Sequence, residues 1–330
     1  LSAEHDQGYF CEGLATDIMS ALARVRTLRV ASRGSSFRFT LATHGPREIG
    51  EALQVSTIVD GSVRRSGQRL RVNAQLIDAA SGFSLWSQRY DRELRDVFDI
   101  QDDIAHQITE ALLLTLSARE RLDMRRPAAA DVAAYDCYLR GRQLYHRHNR
   151  HAAAEARELF ARAAQIDPGF ASAFAGIADC HSYLYIHAGR DPRHLDAALE
   201  AARTALRLGP SSAEAHASLG TALSLAGERE EAEQHFEEAI AYNPDLFEAY
   251  YFYARNSFAA GRPERAAELY EAASRIRPED YQSPLLVAQI YEDLGRPQDA
   301  EASRRLGVSI AEAHLAHSPE DARAWYMGAN

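Results

Sequence analysis

The sequence predicts a small α+β module followed by an all-α solenoid of helical hairpins. Three observations carry that prediction. Pro210, Pro244 and Pro278 stand 34 residues apart, and Gly227, Gly261 and Gly295 repeat the same interval out of phase with them. Two runs that alternate apolar and polar residues flank Ser66-Gly67-Gln68, the pattern of a β-hairpin. Apolar residues at helical spacing lie on either side of that hairpin.

In chain order, Leu14, Ile18, Ala21, Leu22 and Val25 fall on one helical face and predict a helix over 13–25. A short strand is expected at 28–32. A second helix fits 46–53, with Pro46 tolerated in its first turn. In the hairpin, Val59, Gly61 and Val63 alternate with Ile58, Asp60 and Ser62; Leu70, Val72, Ala74 and Leu76 then alternate with Arg69, Arg71, Asn73 and Gln75. Ser81-Gly82 turns the chain into a third strand over 84–91. Val97, Ile100, Ile104, Ile108 and Leu112 mark a long helix, and Arg125-Arg126-Pro127-Ala128-Ala129-Ala130 reads as a linker. The expected organisation is a module over 1–124, a linker over 125–133 and a helical array over 134–330.

Within the array, Leu219-Gly220, Ala232, Phe236, Ala239 and Pro244 are matched one period later by Tyr253-Ala254, Ala266, Tyr270, Ala273 and Pro278. Small residues recur where paired helices must approach closely, and the glycines sit where a left-handed residue ends each first helix. Upstream, Ala156, Phe160, Ala163 and Pro168 close a looser unit led by Tyr138, Gly141 and Leu144. A second unit runs to Pro210 through Phe174, Ile177, Ala198 and Ala205. It carries eight extra residues around Gly189-Arg190-Asp191-Pro192, and Ala202 stands where an aromatic is expected. A fifth opens at Tyr281 with Tyr291 and Ala300, but Arg304 and Gly307 break its pattern and its second helix is expected to reach about residue 317. Pro319 and Trp325-Tyr326 begin a sixth. This set of positions resembles the tetratricopeptide repeat (TPR), in about five and a half copies. The resemblance implies a right-handed superhelix used for protein–protein contact rather than catalysis. Solenoid repeats bury their apolar faces only against neighbours, so the array is expected to continue past 330, with self-association through its open ends.

Charge and composition narrow the partner. All 37 basic residues are arginine, which reads as the codon bias of a GC-rich bacterium. Residues 1–126 hold 17 Arg and 17 Asp or Glu; residues 127–330 hold 20 Arg against 30 acids, net −10. An acidic array argues against nucleic acid and for a protein or peptide that is basic or neutral. No stretch approaches the ~20 apolar residues that cross a bilayer, so no membrane partner is expected, and Leu1 opens no signal peptide. Cys11, Cys137 and Cys180 are widely spaced and odd in number, which fits a reducing, cytoplasmic setting.

The module carries a second resemblance. Tyr9-Phe10, Gly13-Leu14, Ser35-Ser36-Phe37, Gly61-Ser62-Val63-Arg64, Gln75-Leu76-Ile77-Asp78, Leu85-Trp86, Arg89-Tyr90-Asp91 and the stretch from Phe98 to Gln101-Asp102 resemble a bacterial module akin to the amino-terminal domain of TolB. Joined to TPRs, it resembles the carboxy-terminal half of multidomain signalling proteins. Their output domain is a Ser/Thr kinase, a class III nucleotide cyclase or a winged-helix DNA-binding domain. The family opens with an apolar strand ahead of Tyr9, whereas residues 1–7 are short and polar, so the sheet is expected to lack a strand.

No Gly-rich phosphate loop, Gly-x-Ser-x-Gly elbow or kinase motif occurs, so no catalytic residue, cofactor or metal is assigned. His146, His148 and His151 could ligate a metal, but they lack helical-pair spacing and read as a solvated loop. Arg64, Arg65, Arg69 and Arg71 crowd one hairpin; they read as a charged edge, with contact to phosphate or an acidic partner as the alternative. Asp99, Asp102 and Asp103 read as the wet face of a helix. The TPR resemblance implies groove positions at Glu214, Ala217, Thr221 and Ser224, then Glu248, Tyr251, Arg255 and Phe258, then Gln282, Leu285, Gln289 and Glu292. The lysine–asparagine set that clamps acidic tails is absent. Tyr251 and Phe258, with Arg255 between them, are the expected anchors; the competing reading is that these aromatics pack the helices together.

Overall fold

The computed structural model describes residues 8–112 and 131–329, apart from positions 24, 26, 27, 32, 67, 148, 317, 318 and 320. Of the linker expected over 125–133, residues 125–130 lie outside the described residues, as do the segment 1–7, Gly67 and His148, while Val132 and Ala133 already belong to a helix. The chain forms two compact units, Leu1–Cys180 and His181–Asn330.

In the first unit, helix α1 (Gly8–Leu22) begins earlier than its periodicity predicts, because Tyr9 and Phe10 also face the core. Helix α2 spans Pro46–Leu53, as expected. Strands β1 (Thr57–Ser66), β2 (Arg69–Asp78) and β3 (Ser84–Glu93) form an antiparallel sheet in the order β1-β2-β3. Leu70, Val72, Ala74 and Leu76 point to the buried face of β2, where they meet α1 and the helix α3 (Val97–Ala111). The strand expected at 28–32 is absent among the described residues. The Leu28 amide is committed to a tight turn with the Val25 carbonyl (2.9 Å), while Leu28 and Val30 pack against the core from outside the ladder.

The same core takes in Ala134, Tyr135 and Leu139 of helix α4 (Val132–Tyr145), capped by the Asp131 carboxylate. Tyr9 donates to Asp136 at 2.5 Å, Tyr135 donates to Asp17, and Arg65 pairs with Asp136 at 3.2 Å. Helix α5 (Arg150–Ile166) folds back on α4, and α6 (Ala171–His187) follows. Phe160 of α5 is buried against Gly141 of α4 and Gly176 of α6, where an added Cβ would lie only 2.8 Å from its ring. That close approach is why both positions are glycine.

The second unit continues the hairpins with α7 (Pro192–Leu208), α8 (Ala213–Ala226), α9 (Arg229–Tyr242), α10 (Phe247–Ala259), α11 (Pro263–Ile276), α12 (Gln282–Asp293), α13 (Pro297–Leu315) and α14 (Ala322–Ala329). Gly227, Gly261 and Gly295 adopt φ of +93°, +74° and +69°, the left-handed turn that ends α8, α10 and α12. Gly220 repeats the small-against-aromatic contact, 2.9 Å from the Phe236 ring for a notional Cβ. Between hairpins, Tyr253 of α10 donates to Glu233 of α9 at 2.5 Å, and the Arg262 guanidinium grips the same carboxylate at 2.6 and 2.9 Å. That hydrogen-bonded guanidinium, ahead of the Tyr253 hydroxyl, holds the Glu233 carboxyl below its usual range. Tyr291 of α12 repeats the staple one hairpin later, on Glu271 of α11. Among the described residues no helix is long and apolar enough to cross a membrane.

Candidate functional site

The first helices of the second unit, α8, α10 and α12, carry the three quartets expected to face a groove. Their second members behave alike. Ala217, Tyr251 and Leu285 are all buried, because side chains at that phase pack between helices: Tyr251 meets Tyr270 of α11 and Gln282 of α12, and Leu285 lies against Gly307 of α13. Thr221 is buried as well and spends its hydroxyl on the Ala217 carbonyl at 2.8 Å.

Tyr251 is enclosed by aromatic rings. Phe247 stacks at 5.5 Å between centroids, and Phe252 and Tyr270 meet it edge-on at 5.3 and 5.7 Å. Its hydroxyl donates to Gln282 Oε1 at 3.2 Å. Burial raises the Tyr251 pKa, against the opposing pull of the Arg323 and Arg255 guanidiniums. Phe258, two turns further along the same helix, is 49% exposed. Seven residues separate the two aromatics, and one is a packing residue while the other meets solvent.

The charged candidates divide in the same way. Glu248 is paired with Arg277 at 2.7 Å, and that guanidinium lies 3.7 Å over the Phe247 ring. Glu292 is held by Arg304, which also reaches Glu301 at 3.4 Å. Arg255 is half-buried and has no ion pair among the described residues, and Gln289 is exposed. Among the candidates on α10 and α12, the side chains without an ion pair, the Tyr251 hydrogen bond or full burial to hold them are Arg255, Phe258 and Gln289.

One polar residue of this cluster escaped the sequence reading. Arg323, on the short final helix α14, electrostatically faces Tyr251, Tyr270 and Tyr281. Asp321 caps α14 through the Arg323 and Ala324 amides at 3.0 and 3.2 Å, as Asp280 caps α12 through Gln282 and Ser283 at 3.3 and 2.8 Å. Arg323 thus occupies in the sixth repeat the place Gln282 holds in the fifth. The signal was present: Pro278-Glu279-Asp280 recurs as Pro319-Glu320-Asp321.

Elsewhere, His146 ends α4 and His151 pairs with Glu155 at 3.1 Å. Asp99, Asp102 and Asp103 are exposed on α3. Among the described residues no group of three or more His, Cys, Asp and Glu is placed to hold a metal ion.

Two family models match the second unit. A tetratricopeptide repeat model covers residues 190–245, and the model described as anaphase-promoting complex, cyclosome, subunit 3 covers 226–303. The chain is 37% identical over 235 residues to a putative adenylate cyclase 3 of Rhizobium meliloti, an alignment covering 71% of this chain and 40% of that protein. The chain therefore spans well under half the length of that curated relative. Among solved structures, MamA is 21% identical with a TM-score of 0.40, over 53% of this chain and 96% of that one. A thermophilic TPR protein of Thermus thermophilus is 18% identical with a TM-score of 0.47, over 60% and 97%. Tetratricopeptide repeats serve as protein–protein interaction scaffolds, and residues 190–303 match repeat models of that kind.

Proposed function

We propose that this chain is the non-catalytic regulatory scaffold of a cytoplasmic bacterial signalling protein. Its array, over 134–330, holds a basic or neutral protein segment along the first-helix face, and its amino-terminal part, over 1–124, is a TolB-amino-terminal-like module. The carrying observation is an aromatic side chain 49% exposed, Phe258, beside Arg255, which has no ion pair among the described residues, within the 226–303 stretch matched by a repeat-family model. Partly exposed aromatic and arginine side chains are the types that dominate interface energetics. Gln282, Gln289, Glu248 and Glu292 form the surrounding polar rim, where contacts contribute little individually.

The test is fluorescence anisotropy with labelled basic, neutral and acidic peptides of equal apolar content. Basic or neutral peptides should bind and Phe258→Ala should weaken them, with helical content unchanged. Failure of every peptide, or indifference to Phe258→Ala, would sink the proposal.

A second reading rests on the adenylate cyclase relative, of which this chain matches 40%. In that reading the parent protein is a nucleotide cyclase and this chain its regulatory half, with a Ser/Thr kinase or winged-helix parent as the other forms. The codons upstream of Leu1 decide among them. The chain alone should make no cyclic nucleotide and transfer no phosphate from ATP; turnover abolished by a point mutation within 1–330 would refute that.

A further inference from the structure

The sheet of the first unit has one face buried and one open, and the open face carries Arg64, Arg69, Arg71 and Arg89 beside the carboxylates Asp60, Asp91 and Glu93. Arg64 of β1 stands directly opposite Arg71 of β2, and Arg89 of β3 is opposite Asn73, the residue two beyond Arg71. Like charges directly opposite in a ladder destabilise it. The carboxylate that three of these arginines share is Asp91. Arg71 grips it through Nε and Nη2 at 3.1 and 2.6 Å, Arg69 reaches it at 3.5 Å and Arg89 at 3.8 Å. Asp91 is held below its usual carboxylate range, by the Arg71 hydrogen bond first. The other carboxylates on this face are committed, Asp60 to the Gln75 amide at 2.9 Å and Glu93 to Arg95 at 3.0 Å. Arg64 has no ion pair among the described residues.

These guanidiniums surround a hollow of about 300 Å³, open to solvent and lined by Ser62, Val63, Arg64, Arg71, Asn73 and Arg89. A water takes about 30 Å³ of liquid, so a compact anion with several waters fits. Asn73 donates one amide hydrogen to Ser62 Oγ at 3.0 Å, which leaves its second N–H and the serine O–H to donate elsewhere.

Arginine as such carries no weight, because the chain contains no lysine. Position does. Charges that guard a sheet against edge pairing belong on its edges, yet Arg69 and Arg71 lie on the central strand. We propose that the open face of the sheet is an oxyanion site for a phosphoryl dianion, held by Arg64, Arg71 and Arg89 with Ser62 and Asn73 as neutral donors. Donors arriving from three strands, about 4.8 Å apart, suit a tetrahedral group with oxygens on several sides. A carboxylate, with one plane of acceptors, is already supplied by Asp91.

The experiment is calorimetric titration of the full 330-residue chain at constant ionic strength, with inorganic phosphate and separately with O-phosphoserine. Binding near ~1 mM is expected, strengthening as pH rises through about 6 and the second proton leaves the phosphate. Arg64→Gln and Arg89→Gln should each weaken it about tenfold, the scale of one charged hydrogen bond; Arg305→Gln in the second unit should leave it unchanged. Tighter binding of O-phosphoserine identifies a modified side chain as the source, and equal binding identifies the free ion; both support the site. Absence of binding up to about 20 mM, more than ten times the expected constant, would overturn it, as would affinity unaltered in Arg64→Gln. That variant decides even if Arg89→Gln fails to fold, since Arg64 makes no ion pair to lose among the described residues.

Discussion

Tyr251 and Phe258 share a helix and a residue class, and their surroundings give them opposite tests. Tyr251 is closed in by Phe247, Phe252 and Tyr270. Removing its ring should cost about 3–5 kcal/mol, the range for large aromatic deletions in packed sites. Tyr251→Phe keeps the ring and loses the hydroxyl with its hydrogen bond to Gln282, worth about 1 kcal/mol. Urea unfolding of the two variants measures both. Phe258, half exposed, should change stability by less than about 0.5 kcal/mol when cut to alanine. If it is an interface anchor, the same cut weakens peptide binding by ~2 kcal/mol, roughly thirtyfold. A Phe258→Ala variant that melts like Tyr251→Ala would make both residues packing. The sequence could not separate them, because enclosure depends on Tyr270, contributed by the second helix of the hairpin.

At the scale of elements, the repeat was legible where backbone geometry demands a residue. Gly227 holds φ +93°, so Gly227→Ala should destabilise by about 1–2 kcal/mol. The same substitution inside a helix normally stabilises, so a raised urea midpoint would contradict this account of the turn. Legibility failed where an element depends on distant partners. Residues 28–31 have the composition of a strand, but the turn at Val25 takes the Leu28 amide. Arg323 was hidden by the longer α13, which breaks the 34-residue spacing while leaving its Pro-Glu-Asp cap signature intact. Arg89 joined the hairpin arginines only once strand register was known. Register and packing also tune a titration between α8 and α9. His216 Nε2 lies 3.0 Å from the Pro210 carbonyl and so carries the proton, leaving Nδ1 to accept from His235 Nδ1 at 3.1 Å. Burial, then the neighbouring His216, lowers the His235 pKa, while Glu231 and Glu238 oppose the shift. The unfolded chain then binds the proton more tightly than the folded one. Stability is full above the unfolded value of about 6.5 and falls as pH drops from there through the lower folded value. Chemical denaturation from pH 7.5 to 5 should show that slope, and His235→Gln should flatten it.

Across the whole molecule, charge is partitioned between the compact units. Leu1–Cys180 holds 23 Arg and 23 Asp or Glu, whereas His181–Asn330 holds 14 Arg and 24 acids. The entire formal charge of −10 therefore falls on the second unit, which carries Arg255 and Phe258. A field of that sign attracts basic segments before contact and repels acidic ones, while leaving the desolvated contact itself nearly untouched. The two effects separate kinetically. Surface charges are screened beyond a Debye length of about 8 Å at physiological salt and about 3 Å at 1 M. Raising salt from ~0.05 to ~0.5 M should thus slow association of a basic peptide severalfold in stopped-flow mixing. Dissociation, governed by withdrawal from Phe258, should change far less. Phe258→Ala should do the reverse, speeding dissociation with little effect on the encounter rate. A salt effect confined to dissociation would mean that the peptide is held by close ion pairs, with Glu248 and Glu292 released from Arg277 and Arg304 to make them. In that case Glu248→Gln and Glu292→Gln, rather than Phe258→Ala, should abolish binding.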